Sequence, residues 1–583
     1  MLSPGAKLSS RPFRFFRVYP ILHLITGRGQ PSRKTHKGAW PNMRKLASVL
    51  VCLAILASIA APALAAGGKP VLTVWVPENL RIDDYNTNQM TLWLEEQGNF
   101  DLNIVTQPAG ADYATKINMA LTAGNVADLP DVIVQENGKF TDTQIWEWAQ
   151  AGTILPLTQY YDDPALAVNI NEAKERTGLD YTQQITSPDG NLSGIATLNQ
   201  SYGNEYPDKG WYSLTWLETL GEKVPETTEE FYQLLKKVHE TDLNGNGKAD
   251  EIGLAGTFGE SKLFGGWFNY LMNPFVYSGD KWYRTVEDGK VGVAYATEAW
   301  KEGLKYMRRL FAEGLIASES LTMDNDQFKA LMNSADQVVF SLVYYAPDML
   351  NKDGGRVTEY RFLAPLAGPD GARRATFTQS AANVTFIVTA NCKNPEAAFR
   401  LGDLMSSELI GITQRWGTQG SEWDYIANVA DAEKYVASVR SFPVSIVTYH
   451  DAQFWGGSDV ANASWRQVGP YVRHYGIAGG VGVDPAKTEQ YTILLNGAWE
   501  HYQQGGYRPE EVIPKVIYTS DEAEVVSEIT SNLKSFVDEQ TAAFLMGNAD
   551  IDAGWGAFQA ELENIGLSTF LEIQQAVYDR MYK

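Results

Sequence analysis

The chain has 583 residues, 44% of them hydrophobic, 12% aromatic and 20% charged, and its 48 Lys/Arg against 70 Asp/Glu give a formal charge of −22. That composition excludes a disordered or collagen-like chain. The length suggests roughly two to four lobes, able to bury cores without disulfide staples.

Residues 1–42 hold eight Lys/Arg and no acid. Met43, Arg44 and Lys45 then make a short basic start, Leu46 to Ala60 is an apolar run, and Ala63-Leu64-Ala65 is a small-residue cleavage site. This is the pattern of a secretory signal peptide over 43–65, cut before Ala66. Its apolar run is short for a membrane span. Export signals begin at an N-terminus, so Met43 reads as the start and 1–42 as a mis-assigned extension. Without residues 1–65 the chain keeps 38 Lys/Arg against 70 Asp/Glu, a formal −32. Nucleic acid is therefore not an expected partner, and an anionic ligand is disfavoured. Cys52 leaves with the signal, and Cys392 alone cannot form a disulfide within the remainder. Cys52 lies near the beginning of the apolar run instead of after it, so no lipid anchor is expected. An exported chain without an anchor is retained by the cell only behind an outer membrane, which points to the periplasm.

Val71 to Val76 reads as a buried strand, 85–97 as a helix, Leu102 to Val105 as a strand, Tyr113 to Ala123 as a helix and Asp131 to Val134 as a third strand. This alternation predicts an α/β fold with a mostly parallel sheet. Ligands in such sheets sit at the carboxyl ends of the strands, here Trp75 to Asn79 and Gln135 to Asn137. A helix over 142–151 ends at Gly152. The strand-like run 194–199 is placed to cross between lobes. Thr227 and Glu230 predict a capping box for a helix to Glu240. Residues 297–313 predict another helix, with Trp300, Leu304, Met307, Leu310 and Phe311 inward. Strands follow at 338–343 and 385–388. Asn394-Pro395 caps a helix to Met405, and 520–582 is helical throughout.

The sharpest local motif is the run from Asp242 to Glu251. Oxygen-bearing side chains at Asp242, Asn244 and Asn246 alternate, Gly247 permits a turn, and Asp250 and Glu251 close the loop. With the Lys248 carbonyl these oxygens suffice to wrap one structural Ca2+. The loop departs from an EF-hand: its twelfth position is Gly253, and Ile252 to Ala255 reads as a strand where an EF-hand has a helix. A solvated turn rich in Asn and Gly is the plain alternative. With His239, His450, His474, His501 and Cys392 scattered, no zinc pattern is visible.

Taken together the chain resembles the family 1 extracellular solute-binding proteins, in the subgroup of large oligosaccharide binders. The resemblance covers nearly all of 70–583. It rests on Lys116 to Leu121 through Leu129-Pro130-Asp131, Trp216 to Gly221, Pro225 to Phe231, and the 242–251 loop at the place usual for the family. It continues through Asp288 to Val291, Lys301 to Leu304, Glu313 to Ile316, Cys392 to Glu396, Gly417 to Trp423 and Ala576 to Arg580. It implies a two-lobed, hinge-connected periplasmic-binding-protein fold (type II) with an added helical C-terminal region. The expected lobes are 66–198 with 370–450, and 199–369 with 451–583. It also implies delivery of ligand to the membrane permease subunits of an ABC importer, by a monomer. Calcium-bearing relatives include alginate-oligosaccharide binders. Where the family often has Glu in a Gly-x-Glu-Gly segment this chain has Gln419, which removes a charge but keeps a hydrogen-bonding group.

Sugars offer flat C–H faces to aromatic rings and hydroxyl rims to Asn, Gln, Asp and Glu. The expected ligand contacts are Trp75, Tyr344, Tyr345 and Trp423 for faces, and Glu78, Glu136, Asn137, Asn199 and Gln419 for rims. Trp146, Trp148, Trp216 and Trp300 read as packing. So, on balance, do Trp267, Trp282, Trp455 and Trp465. A glycoside hydrolase would need a carboxylate pair, and no nucleophile, P-loop or dinucleotide motif is present, so no enzyme is expected. A peptide ligand, or service to a sensor instead of an importer, are the alternatives. The absence of repeats argues against an adhesin.

Overall fold

The computed structural model describes residues 68–257, 265–344, 349–350, 356–449, 460–488 and 490–583, with backbone only at Tyr202 and Gln490. The signal-peptide reading, Tyr345 and Trp455 lie outside the described residues. The chain divides into Met1–Gly68 and one compact unit, Lys69–Lys583.

In chain order the strands are β1 (Val71–Pro77), β2 (Asp101–Gln107), β3 (Val132–Val134), β4 (Ile195–Asn199), β5 (Lys209–Ser213), β6 (Ile252–Ala255), β7 (Arg284–Glu287) and β8 (Lys290–Val293). Then come β9 (Val339–Tyr344), β10 (Tyr360–Leu363), β11 (Asn383–Val388), β12 (Trp423–Tyr425), β13 (Val436–Ala437), β14 (Ile446–Thr448), β15 (Val472–Arg473) and β16 (Val481–Val483). They form two main sheets. The first has the order β15-β4-β11-β3-β1-β2, the second β10-β5-β9-β6. A third, smaller sheet is β12-β14-β16-β13, and β7 and β8 make a hairpin. Each main sheet carries its own core, so the fold is α/β with two lobes.

The first sheet begins as predicted. β1 pairs in parallel with β2 and β3, and Leu72, Val74 and Val76 are buried while Thr73 and Trp75 alternate to the other face. β11 then enters antiparallel between β3 and β4, so the sheet is mixed. The expected lobe boundary at 451 also needs correction. β15 adds to β4 as an edge strand, and Trp465, Val468 and Val472 lie in the first core. The apolar side chains of 463–472 complete that core, and the chain leaves for the second lobe only after them.

The predicted capping box at Thr227 is made, and Thr141 makes a second, each side chain accepting the N–H three residues on. Asn394 makes no side-chain cap, and Pro395 alone marks the start of Pro395–Met405. In the second lobe, Glu298–Ala312 buries Trp300, Leu304, Met307 and Leu310, while Phe311 packs half-buried against the same core. Trp300 meets Tyr283 edge-on at 5.0 Å and Phe268 at 5.3 Å. The helical C-terminus resolves into Ser520–Met546, Ile551–Ile565 and Leu567–Tyr582, packed on this lobe through Leu533, Val537, Phe558 and Phe570. Trp267 and Trp465 are core residues, Trp148 and Trp216 are buried, and Trp282 is half-buried.

The register fixes which edges face the hinge. Asn383 pairs with Thr197, so the start of β11 lies beside the end of β4 and, through Phe386 and Val134, near the end of β3. In the second sheet Lys209 pairs with Tyr344, and Gly210 with Leu363. Passages 199–209 and 363–383 therefore join the carboxyl edge of the first sheet to the edge of the second where β9 and β10 end.

Candidate functional site

The carboxyl ends of β1 and β3 and the start of β11 make one floor. Trp75 ends the exposed alternation of β1 and is half-buried against the first core. Lys116 of the helix Gly110–Thr122 sits 5.4 Å from its ring centroid and donates to the Gln107 side chain. The Tyr113 hydroxyl reaches the carbonyls of both Trp75 and Val134, tying the ends of β1 and β3 together. Glu78, Glu136 and Asn137 are exposed just past the two strand ends. The Glu78 N–H donates to Gln107 O at 2.7 Å. The Asn137 side-chain oxygen accepts from Asn383 at 3.1 Å. Asn199, half-buried at the end of β4, has a buried side-chain oxygen with no partner. Sequence reasoning thus placed Trp75, Glu78, Glu136, Asn137 and Asn199 on one edge.

Across the crossings, Tyr344 ends β9 half-buried, and its carbonyl accepts from the Trp211 indole at 3.2 Å. Trp423 and Gln419 are placed differently. Trp423 is 0% exposed, and its indole N–H donates to Gly417 O at 2.8 Å. It is the centre of the small core with Ile412, Trp416, Ile446 and Ile477, so no ring face is offered to a ligand. Its aromatic neighbour Tyr425 closes the same side at 5.2 Å. Gln419 is exposed and donates to Asp424 at 3.0 Å.

Two further residues stand here: Gln135, placed at the strand end but not among the expected contacts, and Glu205, which was missed. Gln135, at the end of β3, is 0% exposed, and neither amide atom has a partner. A buried amide left so costs on the order of 1–3 kcal/mol, which marks it as a group awaiting a partner. Glu205 lies in the 199–209 passage, buried, and accepts from Ser380 at 2.7 Å and from the Tyr475 hydroxyl. Its carbonyl accepts the Thr378 N–H. One carboxylate thereby gathers three stretches of chain at the hinge. Burial raises its pKa, against those hydrogen bonds and the more distant charge of Arg508. The folded state holds that proton more tightly than the unfolded one. Stability from Glu205 is thus full below its ordinary value of 4.5 and is lost as pH rises through the raised folded value. We expect Glu205→Gln to flatten that fall, read as the difference between variant and parent in urea midpoints from about pH 4 to about pH 8.

The 242–251 loop runs between the helix Thr228–His239 and β6, as predicted. Asp242 accepts from the N–H groups of Gly245 and Gly247, and both glycines adopt positive φ, 75° and 82°. Asn244 accepts from Asn246 N–H and Asn246 from Lys248 N–H, both at 2.9 Å. These turns hold the side-chain oxygens on a curve while each keeps a second lone pair. Glu251 is 0% exposed. One of its oxygens accepts from the N–H groups of Leu243 and Asn244, while the other is buried with no partner. Among the described residues no three His, Cys, Asp or Glu side chains are placed to hold a metal by themselves. A cation here would therefore depend on the Asn amides and the Lys248 carbonyl as well, which are the oxygen donors a hard ion accepts. The orphaned Glu251 oxygen fits such an ion.

Two lobes on separate cores, joined at their strand ends by several passages, are the architecture of a two-lobed solute-binding protein. The chain belongs to the bacterial extracellular solute-binding protein family, whose model matches residues 84–408. It is 27% identical over 484 residues to the fructooligosaccharide ABC transporter substrate-binding protein FusA of Streptococcus pneumoniae, covering 81% of this chain and 83% of that one. A human-milk-oligosaccharide (HMO) solute-binding protein from Bifidobacterium longum infantis shares the fold with a TM-score of 0.68 at 19% identity, covering 89% of this chain and all of that one. An EF-hand mutant of FusA in complex with fructo-nystose aligns with a TM-score of 0.57 at 21% identity, covering 88% and 99%. These relatives are named as binding proteins. No helix among the described residues is long and apolar enough to cross a membrane.

Proposed function

We propose that this protein is the substrate-binding component of an ABC importer. It captures an oligosaccharide between its lobes and delivers it to the membrane permease, without catalysis. The observation that carries the reading is the pair of strand-end edges that the crossings join: Trp75 with the polar row Glu78, Glu136, Asn137 and Asn199 on one, Tyr344 on the other. An aromatic face beside hydroxyl-binding groups is the chemistry of a sugar site. The match to FusA over most of both chains supports the same ligand class. The signal-like segment over 43–65 supports export to the periplasm. The 242–251 loop is assigned one structural Ca2+, held by Asp242, Asn244, Asn246, Asp250, Glu251 and the Lys248 carbonyl. When bound it would neutralise the buried Glu251 carboxylate and fix the loop that seats β6.

A ligand that binds only the native state raises the melting temperature. We expect one class of oligosaccharide to do so, with the sugar recovered unchanged after incubation. Trp75→Ala should weaken that binding roughly tenfold to thirtyfold, about 1.4–2 kcal/mol by calorimetric titration. Tight binding by the variant equal to the parent would remove Trp75 from the site. A melting curve unmoved by any oligosaccharide would end the sugar reading and leave the family assignment standing.

A further inference from the structure

We infer that Lys515, carried on a strap before the C-terminal helices of the second lobe, is a positioning residue for the first-lobe edge. Its ammonium sets the orientation of the Asn383 amide, and Asn383 in turn sets Asn137 to donate to the ligand. This step rests on the oligosaccharide reading above.

Residues 508–519 run from the helix Gln490–Gln504 to Ser520–Met546, and the last helix fixes their course. The Lys515 carbonyl accepts from the Tyr582 hydroxyl, and the Ile517 carbonyl accepts from Arg580 at 3.0 Å. The same region touches the first lobe. Ser520 donates to Glu147 at 3.2 Å, and Gln183 donates to the Met581 carbonyl at 2.9 Å.

The Lys515 side chain is only 13% exposed. Its ammonium donates to Asp142 and to the Ala382 carbonyl, both at 2.8 Å, and draws the Asn383 side-chain oxygen to 3.4 Å. Three donors thus meet three oxygens, one from a helix start, one from the end of the 363–383 passage and one from the start of β11. The Ala382 N–H is held as well, by the buried Gln184 side chain at 2.8 Å. A cation beside the first turn of the helix Asp142–Gln150 opposes the helix dipole. Support for that helix therefore does not account for Lys515.

The Asn383 amide has one good orientation. Its oxygen faces the ammonium, while its nitrogen faces the Asn137 side-chain oxygen at 3.1 Å and the Ala381 carbonyl at 3.5 Å. Turned over, it would set an oxygen against two oxygens and an NH2 against a cation. Lys515 supplies the one charged constraint of the three. With its own oxygen taken, Asn137 has its NH2 to offer, exposed past β3 beside the exposed carboxylate of Glu136. A sugar hydroxyl can accept from the first and donate to the second. The charge at the far end polarises the two amides and strengthens that donor.

The test is calorimetric titration of the purified protein in calcium. The probes are kestose, nystose, maltotetraose, xylotetraose, chitotetraose and tetragalacturonate, and the variants are titrated with whichever binds the parent. Lys515→Met should weaken that binding roughly threefold to tenfold, the worth of one hydrogen bond. Asn137→Ala should weaken it at least as much, and the double variant no further, because both changes act on one donor. Asn383→Ala leaves the Lys515–Asp142 pair in place and should repeat the loss and its non-additivity, so a Lys515→Met chain that fails to fold does not decide the matter. Additive losses overturn this inference and keep the oligosaccharide reading. So does unchanged affinity in Lys515→Met or Asn383→Ala, whatever the melting temperature does. A parent that binds none of the probes overturns both.

Discussion

Chelation of calcium is expected to lower the melting temperature of the second lobe by roughly 10 °C, and added calcium to restore it. A metal present at about a thousandfold its dissociation constant contributes about 4 kcal/mol to the native state, and a lobe of this size moves by a few degrees per kcal/mol. The loop holds its oxygens in place through Gly245 and Gly247 turns and leaves one Glu251 oxygen buried and unpaired. Without a cation that oxygen is a cost; with one it becomes a ligand. Glu251→Gln should lose most of the calcium-dependent shift, since one of three carboxylates, the buried one, is gone. Glu251→Ala should fall further, because the Leu243 and Asn244 N–H groups lose their acceptor. If elemental analysis shows the parent stripped of metal and the melt has not moved, the site is a solvated turn.

The second large effect concerns Asp280 and Arg284. Burial alone would raise the Asp280 carboxyl, yet it is held below the ordinary carboxylate range by the Arg284 charge and by N–H groups of Trp282 and Arg284. The guanidinium grips both carboxylate oxygens at 2.9 Å and reaches Gln574 of the last helix with its remaining nitrogen. Asp280→Ala strands a buried cation and should cost about 3–5 kcal/mol, read from urea unfolding followed by tryptophan fluorescence. The double variant Asp280→Leu with Arg284→Met should recover most of that loss, because the pair's benefit is offset by its desolvation. A double variant as unstable as the single one would mean the pair holds the C-terminal helices by geometry that apolar packing cannot supply.

Much of this was legible in the chain. Strong apolar runs gave β1, β3, β9 and β11, and Thr with Glu three residues later gave the helix start at 227. The turns of the 242–251 loop were legible because their chemistry is local: alternating oxygens and glycines act over ten residues. What stayed hidden depends on contacts far along the chain. β15 is two residues long and owes its existence to β4, nearly three hundred residues earlier. Trp423 looked available because it sits among Gly, Ser and Glu, and only the small third sheet, made of two- and three-residue strands, buries it. Gln135 was placed at a strand end by the apolar run before it, but nothing in the sequence set it apart from its neighbours. Its importance comes from lacking a partner, which no spacing reveals. Tyr344 was found as a strand end, and the direction of that end came from register with Lys209.

The nested order of the strands has a consequence for timing. The first sheet cannot close when its early strands emerge, because β11 must enter between β3 and β4, and Phe386 pairs with Val134. Everything from 200 to 382 lies between, including the whole second sheet. That long insertion need not be a burden. Once Gly210 pairs with Leu363, its two ends stand side by side, and a loop of nearly two hundred residues acts as two short tethers. Pairing within the second sheet thus brings β11 close to its slot between β3 and β4, and β15 adds to β4 from the far side.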